Sequence, residues 1–193
     1  MYELFFKNIS KHIALTPEEQ SHIIKKLQIR RTTKNEILLQ QGETCREMYF
    51  VESGCLRIYQ LHADGAETNI LFCPENWWAS DGLSFANGTV AEYGISSLED
   101  STLVSISAAN LQNLFHQIPK LERFFRLLFQ NAFGLMQRRL NLALSTSSKD
   151  RFEIFYKQYP TLIDRISQKH IASYLGITPV FLSILRKRRV KRD

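Results

Sequence analysis

No stretch of this sequence approaches the roughly 20 consecutive apolar residues that a membrane-spanning helix needs, so no helical span is expected. The opening MYELFFKNIS lacks a basic segment followed by a long apolar core, so no secretion signal is expected either. Cysteine is scarce. Cys45, Cys55 and Cys73 form an odd set without CxxC spacing, which argues against a disulfide framework or a zinc site and makes a reduced cytoplasm the simplest setting. Catalytic constellations are missing too: there is no Ser/His/Asp or Cys/His set, no metal cluster and no phosphate-cradling glycine loop. Asp81 with Glu92 is the one carboxylate pair that can be placed in a pocket, and His12, His22, His62, His116 and His170 stand alone without partner ligands. An enzyme is therefore not expected, nor a cofactor or metal.

Acid is scarce in one part of the chain only. Residues 1–118 hold 9 Lys/Arg against 14 Asp/Glu, whereas residues 119–193 hold 16 against 5. Six of those sixteen cations fall between Arg186 and Arg192. Such asymmetry is what a nucleic-acid partner for the C-terminal part would require, and a solvated basic tail would produce the same count.

Three textures follow one another along the chain. Residues 1 to about 30 read as helical, with Thr16-Pro17-Glu18-Glu19 as a helix start: a capping hydroxyl, proline at the first position, and acids in the first turn. From about 32 to 107 short β-branched and aromatic runs (EILLQQG, MYFVESG, CLRIYQL) alternate with turn residues, predicting a sandwich or barrel. Asp64-Gly65 between two alternating runs predicts a hairpin with positive φ at both central residues. A long helix is expected over about 109–145, interrupted at Pro119. On it Leu121, Leu128, Leu135 and Leu142 recur every seven residues, and Phe125, Phe129, Ala132 and Met136 line an adjacent stripe. One stripe can pack on the β domain while the leucines meet a twin helix; a single wide core face is the other reading, and Arg138 and Arg139 break the companion positions. STSSKD, 145–150, reads as a hinge, and a further helix ends at Pro160.

IASYLGITPVFLSILRKRRVKRD, 171–193, fits a helix-turn-helix. Ser167 can cap a first helix from Gln168 to Leu175, Ala172 is small where the second helix crosses, and Gly176 suits a left-handed turn. Thr178 then caps the second helix with Pro179 at its first position, and Ile171, Leu175, Ile177, Leu182 and Leu185 fall at buried positions.

A β-roll segment, a long helix and a terminal helix-turn-helix, in that order, resemble the CRP/FNR family of bacterial transcription regulators. NEILLQQGETCREMYFVESGCLRIYQLHADGAE is similar to the family's cyclic-nucleotide-binding pattern of strand, Gly-Glu turn, strand, Gly, strand. The resemblance implies an α+β fold: an N-terminal β-roll over 1–118, a long dimerisation helix over 119–145, and a small all-α helix-turn-helix domain over 146–193 without a full wing. It further implies a cytoplasmic homodimer whose paired recognition helices read a palindromic site on double-stranded DNA, with RNA polymerase as a candidate further partner.

Two departures from the family pattern bear on function. Asp81 takes the place of the family's phosphate-pocket Glu, while Ala91 and Glu92 replace the Arg-Ser pair that holds a cyclic phosphate. An anion would thus lose its guanidinium partner and meet a carboxylate, so cyclic AMP is not expected as effector. Met136 and Gln137 stand where cyclic-AMP-binding members offer hydroxyls to the base. A pocket lined by Trp77, Trp78, Asp81 and Phe85 is either vestigial or open to something uncharged or cationic. Second, Pro179, Val180 and Ile184 occupy places where the family offers Arg and Glu to bases. Thr178, Ser183 and Arg186, with apolar contact from Val180, remain for readout. Lys187, Arg188, Arg189, Lys191 and Arg192, with Gln168 and Lys169, would serve phosphates. The alternative is a small-molecule sensor or protein-interaction module whose helix-turn-helix is degenerate, or occluded because Val180 and Ile184 pack on the β-roll or on a partner.

Overall fold

The computed structural model describes residues 2–190. Two short helices open the chain, α1 (Glu3–Ser10) and α2 (Pro17–Ile24). The Thr16 start is a full capping box: the Glu19 amide donates to Thr16 Oγ1, and the Thr16 amide donates back to Glu19 Oε2 at 2.7 Å. Strand structure begins earlier than the sequence suggests. β1 (Gln28–Thr32) lies in the segment expected to be helical, because pairing with β8 (Ser101–Ser107) in antiparallel register overrides its weak local preference.

Between them run β2 (Ile37–Leu39), β3 (Glu47–Ser53), β4 (Leu56–Leu61), β5 (Glu67–Cys73), β6 (Trp78–Ala79), a single-turn helix α3 (Gly82–Asn87) and β7 (Gly94–Ser97). They form two four-stranded sheets, β1-β8-β3-β6 and β2-β7-β4-β5, antiparallel throughout. The β4–β5 hairpin forms where Asp64-Gly65 predicts it, but through a five-residue loop closed by His62 N–H to Ala66 O at 2.8 Å. Only Gly65 takes positive φ (+80°); Asp64 instead accepts the Ala66 amide with its side chain, the Asx turn that this residue favours.

The long helix is broken at Pro119 as expected, into α4 (Ala108–Gln117) and α5 (Lys120–Ser145). Then come α6 (Ser148–Gln158), α7 (Leu162–Arg165), α8 (Gln168–Leu175) and α9 (Pro179–Val190). Two cores divide the apolar residues. The larger fills the roll and holds the first turns of α5 through Leu121, Phe124 and Phe125. The smaller is shared: Phe152, Phe155, Tyr159, Ile171, Leu182 and Leu185 of the C-terminal helices close over Cys55, Phe72 and Leu98 of the roll. Phe72 stacks on Tyr174 with ring centroids 5.0 Å apart. The C-terminal helices are thus seated on the roll and not merely tethered to it.

Candidate nucleic-acid interface and ligand cavity

The two helices of the C-terminal motif are joined as the sequence requires. Gly176 adopts φ +66°, and its amide donates to Ser173 O, while Ile177 N–H donates back to Ala172 O at 3.0 Å. Thr178 caps α9 by accepting the Phe181 amide at 3.2 Å. Ser167 departs from expectation: it stands at the N-cap of α8 without a side-chain hydrogen bond. Ala172, Leu175, Leu182 and Leu185 are buried between the helices and α6.

This packing leaves one face of α9 open. Val180 is 73% exposed and Ile184 40%, with Lys187 and Arg188 beside them at the i+7 and i+8 positions. The alternative, in which Val180 and Ile184 pack on the roll, does not occur, because a different helix meets the roll. Thr178, Gln168 and Lys169 are also exposed, and Ser183 half so. Arg186 and Arg189 turn the other way. Arg186 pairs with Asp164 at 3.2 Å, and Arg189 pairs with Glu153 and lies over the Tyr156 ring at 3.8 Å. The exposed outer face therefore carries Lys187 and Arg188 rather than the whole basic run; Lys191 and Arg192 lie outside the described residues.

Helix α8 docks on β5, the edge strand of its sheet, and satisfies the backbone groups an edge leaves open. Ser173 Oγ accepts the Asn69 amide at 3.0 Å and donates to Glu67 O at 2.8 Å. Asn69 Nδ2 donates to His170 O at 3.1 Å. His170 Nδ1 faces Arg57 Nη1 at 3.4 Å, and burial, then Arg57, pulls the imidazole down to a pKa of about 4. From α5, Arg139 donates to the carbonyls of Ile70 and Tyr174 and sits over the Tyr174 ring, 3.6 Å from its centroid. Its cationic form is disfavoured by burial, so these contacts hold a charge that has left water. At the other end Arg165 bridges Glu75, at 2.7 Å, and Glu99. None of this clasp was anticipated, although Arg139 interrupting an apolar stripe was a signal that a cation enters the interior there.

A cavity of about 500 Å³ lies between the roll and α5. Met48, Ile58, Ile70, Leu71, Leu128, Leu135 and Met136 line it, with Trp77 and Trp78 at its side. Of the expected pocket residues, Trp77, Trp78 and Asp81 are brought together there, while Phe85 and Ala91 are buried elsewhere and Glu92 is exposed. Asp81 is a structural cap: it accepts the Ser84 amide at 3.1 Å, the Glu92 amide at 2.9 Å and the Tyr93 amide at 3.2 Å. Trp78 packs against Phe5, Phe50, Phe124 and Phe125 and donates to Asn8 Oδ1. The Asp81 carboxylate is thus committed to backbone amides, and Ala91 offers no cation where the resemblance places the phosphate's guanidinium partner.

The leucine stripe of α5 faces inward, which reverses its expected role. Leu121 is in the roll core, Leu128 packs against it, Leu135 lines the cavity and Leu142 is half-buried. The apolar residues that α5 leaves exposed are Phe129, which lines the cavity, and Phe133 at 66%, Leu140 at 62% and Leu144, which are spaced to form one stripe turned away from the leucines. The heptad was real, but seven-residue spacing also suits a helix lying on a sheet, and only burial separates the two uses.

The three cysteines are buried and free. Burial pushes the Cys55 thiol up to about 12, which leaves it inert. Among the described residues no helix is long and apolar enough to cross a membrane.

Residues 29–118 match the cyclic nucleotide-binding domain family. No curated protein matches the chain in sequence. Solved structures match its fold over most of their length. CLP, a c-di-GMP-responsive global regulator of Xanthomonas campestris, superposes with a TM-score of 0.72 at 16% identity, covering 92% of this chain and 93% of that one. FixK2 of Bradyrhizobium japonicum gives 0.74 at 15% identity, covering 86% and 85%. A transcriptional regulator assigned to the crp/fnr family from Eubacterium rectale gives 0.69 at 18% identity, covering 92% and 85%. Taken with the two sheets, the broken long helix and the terminal helix-turn-helix, these matches identify residues 29–118 as a cyclic nucleotide-binding domain within a chain that has the fold of the CRP/FNR transcription regulators.

Proposed function

We propose that this protein is a homodimeric DNA-binding transcription regulator that does not respond to cyclic AMP. The observation that carries this reading is the outer face of α9. Val180, Ile184, Lys187 and Arg188 stand exposed on the second helix of a helix-turn-helix, with Gln168 and Lys169 exposed at the N-terminus of the first. Lys187, Arg188 and Lys169 serve phosphates, the Gln168 end of α8 meets the backbone, and Thr178, Ser183 and Val180 face the bases. Val180 and Ile184 favour thymine methyls, so the preferred site is AT-leaning and its half-sites form a palindrome.

The twin protomer joins along the exposed α5 stripe of Phe133, Leu140 and Leu144. Thr146 and Ser147 form an extended joint between α5 and α6, where the 145–150 hinge was expected. Rotation there, with release of α8 from β5, sets the spacing of the two recognition helices. The resemblance of fold to known regulators supports the same reading, and no set of side chains described above supports catalysis.

Salt titration of duplex binding tests the proposal. Several phosphate contacts per half-site make affinity fall steeply with salt. Flat salt dependence, or no binding to any duplex, would favour the alternative of an interaction module.

A further inference from the structure

We infer that α9 selects DNA by the C5 methyl groups of its pyrimidines, so that 5-methylcytosine serves it as thymine does and uracil does not. This rests on the DNA-binding reading above and names the feature of the base edge that the same face recognises.

The first two turns of α9 offer the major groove little but hydrocarbon. Val180 and Ile184 stand exposed, as does Phe181 at 38%, and the three lie at i, i+4 and i+1 on one side of the helix. Polar groups nearby are engaged or unselective. Thr178 Oγ1 accepts the Phe181 amide as the cap of the helix. Ser183 carries a single hydroxyl, which donates to or accepts from any base and so discriminates little. Two of the cations suited to bidentate pairing with guanine are turned away, Arg186 onto Asp164 and Arg189 onto Glu153 and the Tyr156 ring. No Asn or Gln stands between Thr178 and Val190 to bridge an adenine.

The major groove holds one group that complements such a face. The thymine C5 methyl is the apolar feature displayed there, and methylation of cytosine puts the same group at the same ring position. Uracil keeps thymine's hydrogen-bonding edge and lacks the methyl. Lys187 and Arg188 are exposed one to two turns further along α9, so cations border the apolar patch. That arrangement suits a strip of methyls between rows of phosphate and opposes burial against an apolar protein surface. Each methyl covered should add roughly fourfold to affinity, and one in each of two half-sites about tenfold or more. Cytosine methylation within a site would therefore raise its occupancy.

The test uses a random-sequence duplex pool made in three forms: thymine with cytosine, uracil with cytosine, and uracil with 5-methylcytosine. All three carry the same phosphates and the same Watson–Crick edges. Each competes with labelled thymine pool for limiting full-length protein at moderate salt. The uracil form should compete about tenfold less well than the thymine form, and 5-methylcytosine should restore the loss. Val180→Ser should bring the three forms together, and Ile184→Ser provides a second variant should the first fail to fold, as judged by circular dichroism. Equal competition by all three forms would overturn the inference while leaving DNA binding in place, and would assign the apolar patch to a protein partner. A loss that 5-methylcytosine does not restore, or a thymine preference that survives in the folded serine variants, would overturn it too. Retention of no duplex in any form would overturn the inference together with the DNA-binding reading.

Discussion

The Arg139 guanidinium lies 3.6 Å from the centroid of the Tyr174 ring, joining the long helix to the first helix of the helix-turn-helix across the edge of the roll. It also donates to carbonyls of both neighbours, Ile70 and Tyr174. Removing it leaves two half-buried carbonyls without their donor, at a cost of about 1 kcal/mol. In Arg139→Ala, the Asn69 amide and those of α8 should exchange with solvent faster, while β3 and β8 keep their protection. Parental exchange throughout would show that Arg139 does not hold the helices on the roll.

Acid should loosen the same contact. His170 is neutral in the folded protein down to about pH 4, against 6.5 for the free group, because it is buried and faces Arg57, with Glu67 opposing and Lys169 and Lys34 adding to the effect. Between those values the unfolded chain takes up a proton that the folded chain refuses. The stability contribution is therefore complete above about 6.5 and declines as pH falls towards 4. His170→Gln should flatten the thermal midpoint across that window relative to the parent. Identical slopes for the two proteins would remove His170 from the explanation.

On α9, Lys187→Ala and Arg188→Ala should each weaken duplex binding across all sequences and lower the salt slope by about 1. Arg186→Ala should cost less, since Arg186 already pairs with Asp164. Val180→Ser should change base preference without changing the slope. Equal effects for Arg186 and Lys187, measured by fluorescence anisotropy at several salt concentrations, would mean that the exposed face has been misassigned.

The α5 stripe makes a different kind of prediction. If the proposed dimer forms along this stripe, Leu140→Asp, at an exposed apolar position, should leave a monomer in sedimentation velocity with little loss of thermal stability. Leu128→Asp places a charge against the roll core and should lower the melting temperature instead. A dimer that survives Leu140→Asp would locate the interface elsewhere.

These contrasts mark what the sequence could and could not convey. Local chemistry was legible: the capping box at Thr16, the break at Pro119, Gly176 in its left-handed turn, and Gln168–Leu175 as a helix. These depend on a few adjacent residues. Less legible was anything decided by distant partners. β1 was hidden because its strand character comes from β8. Asp81 lines the cavity as expected, but its role as a cap was hidden because its three amide partners lie up to twelve residues away. Arg186 looked available until α7 brought Asp164 beside it. The α8–β5 clasp depends on residues about a hundred positions apart, such as Asn69 and Ser173, and no spacing within either segment announces it.

Selection of binding sites from a random duplex library, with purified unliganded protein at moderate salt, tests the central claim most directly. The account predicts an AT-leaning palindrome with half-sites about one helical turn apart, recovered without cyclic AMP. Retention of duplex without any enriched sequence, or no retention at all, would contradict it.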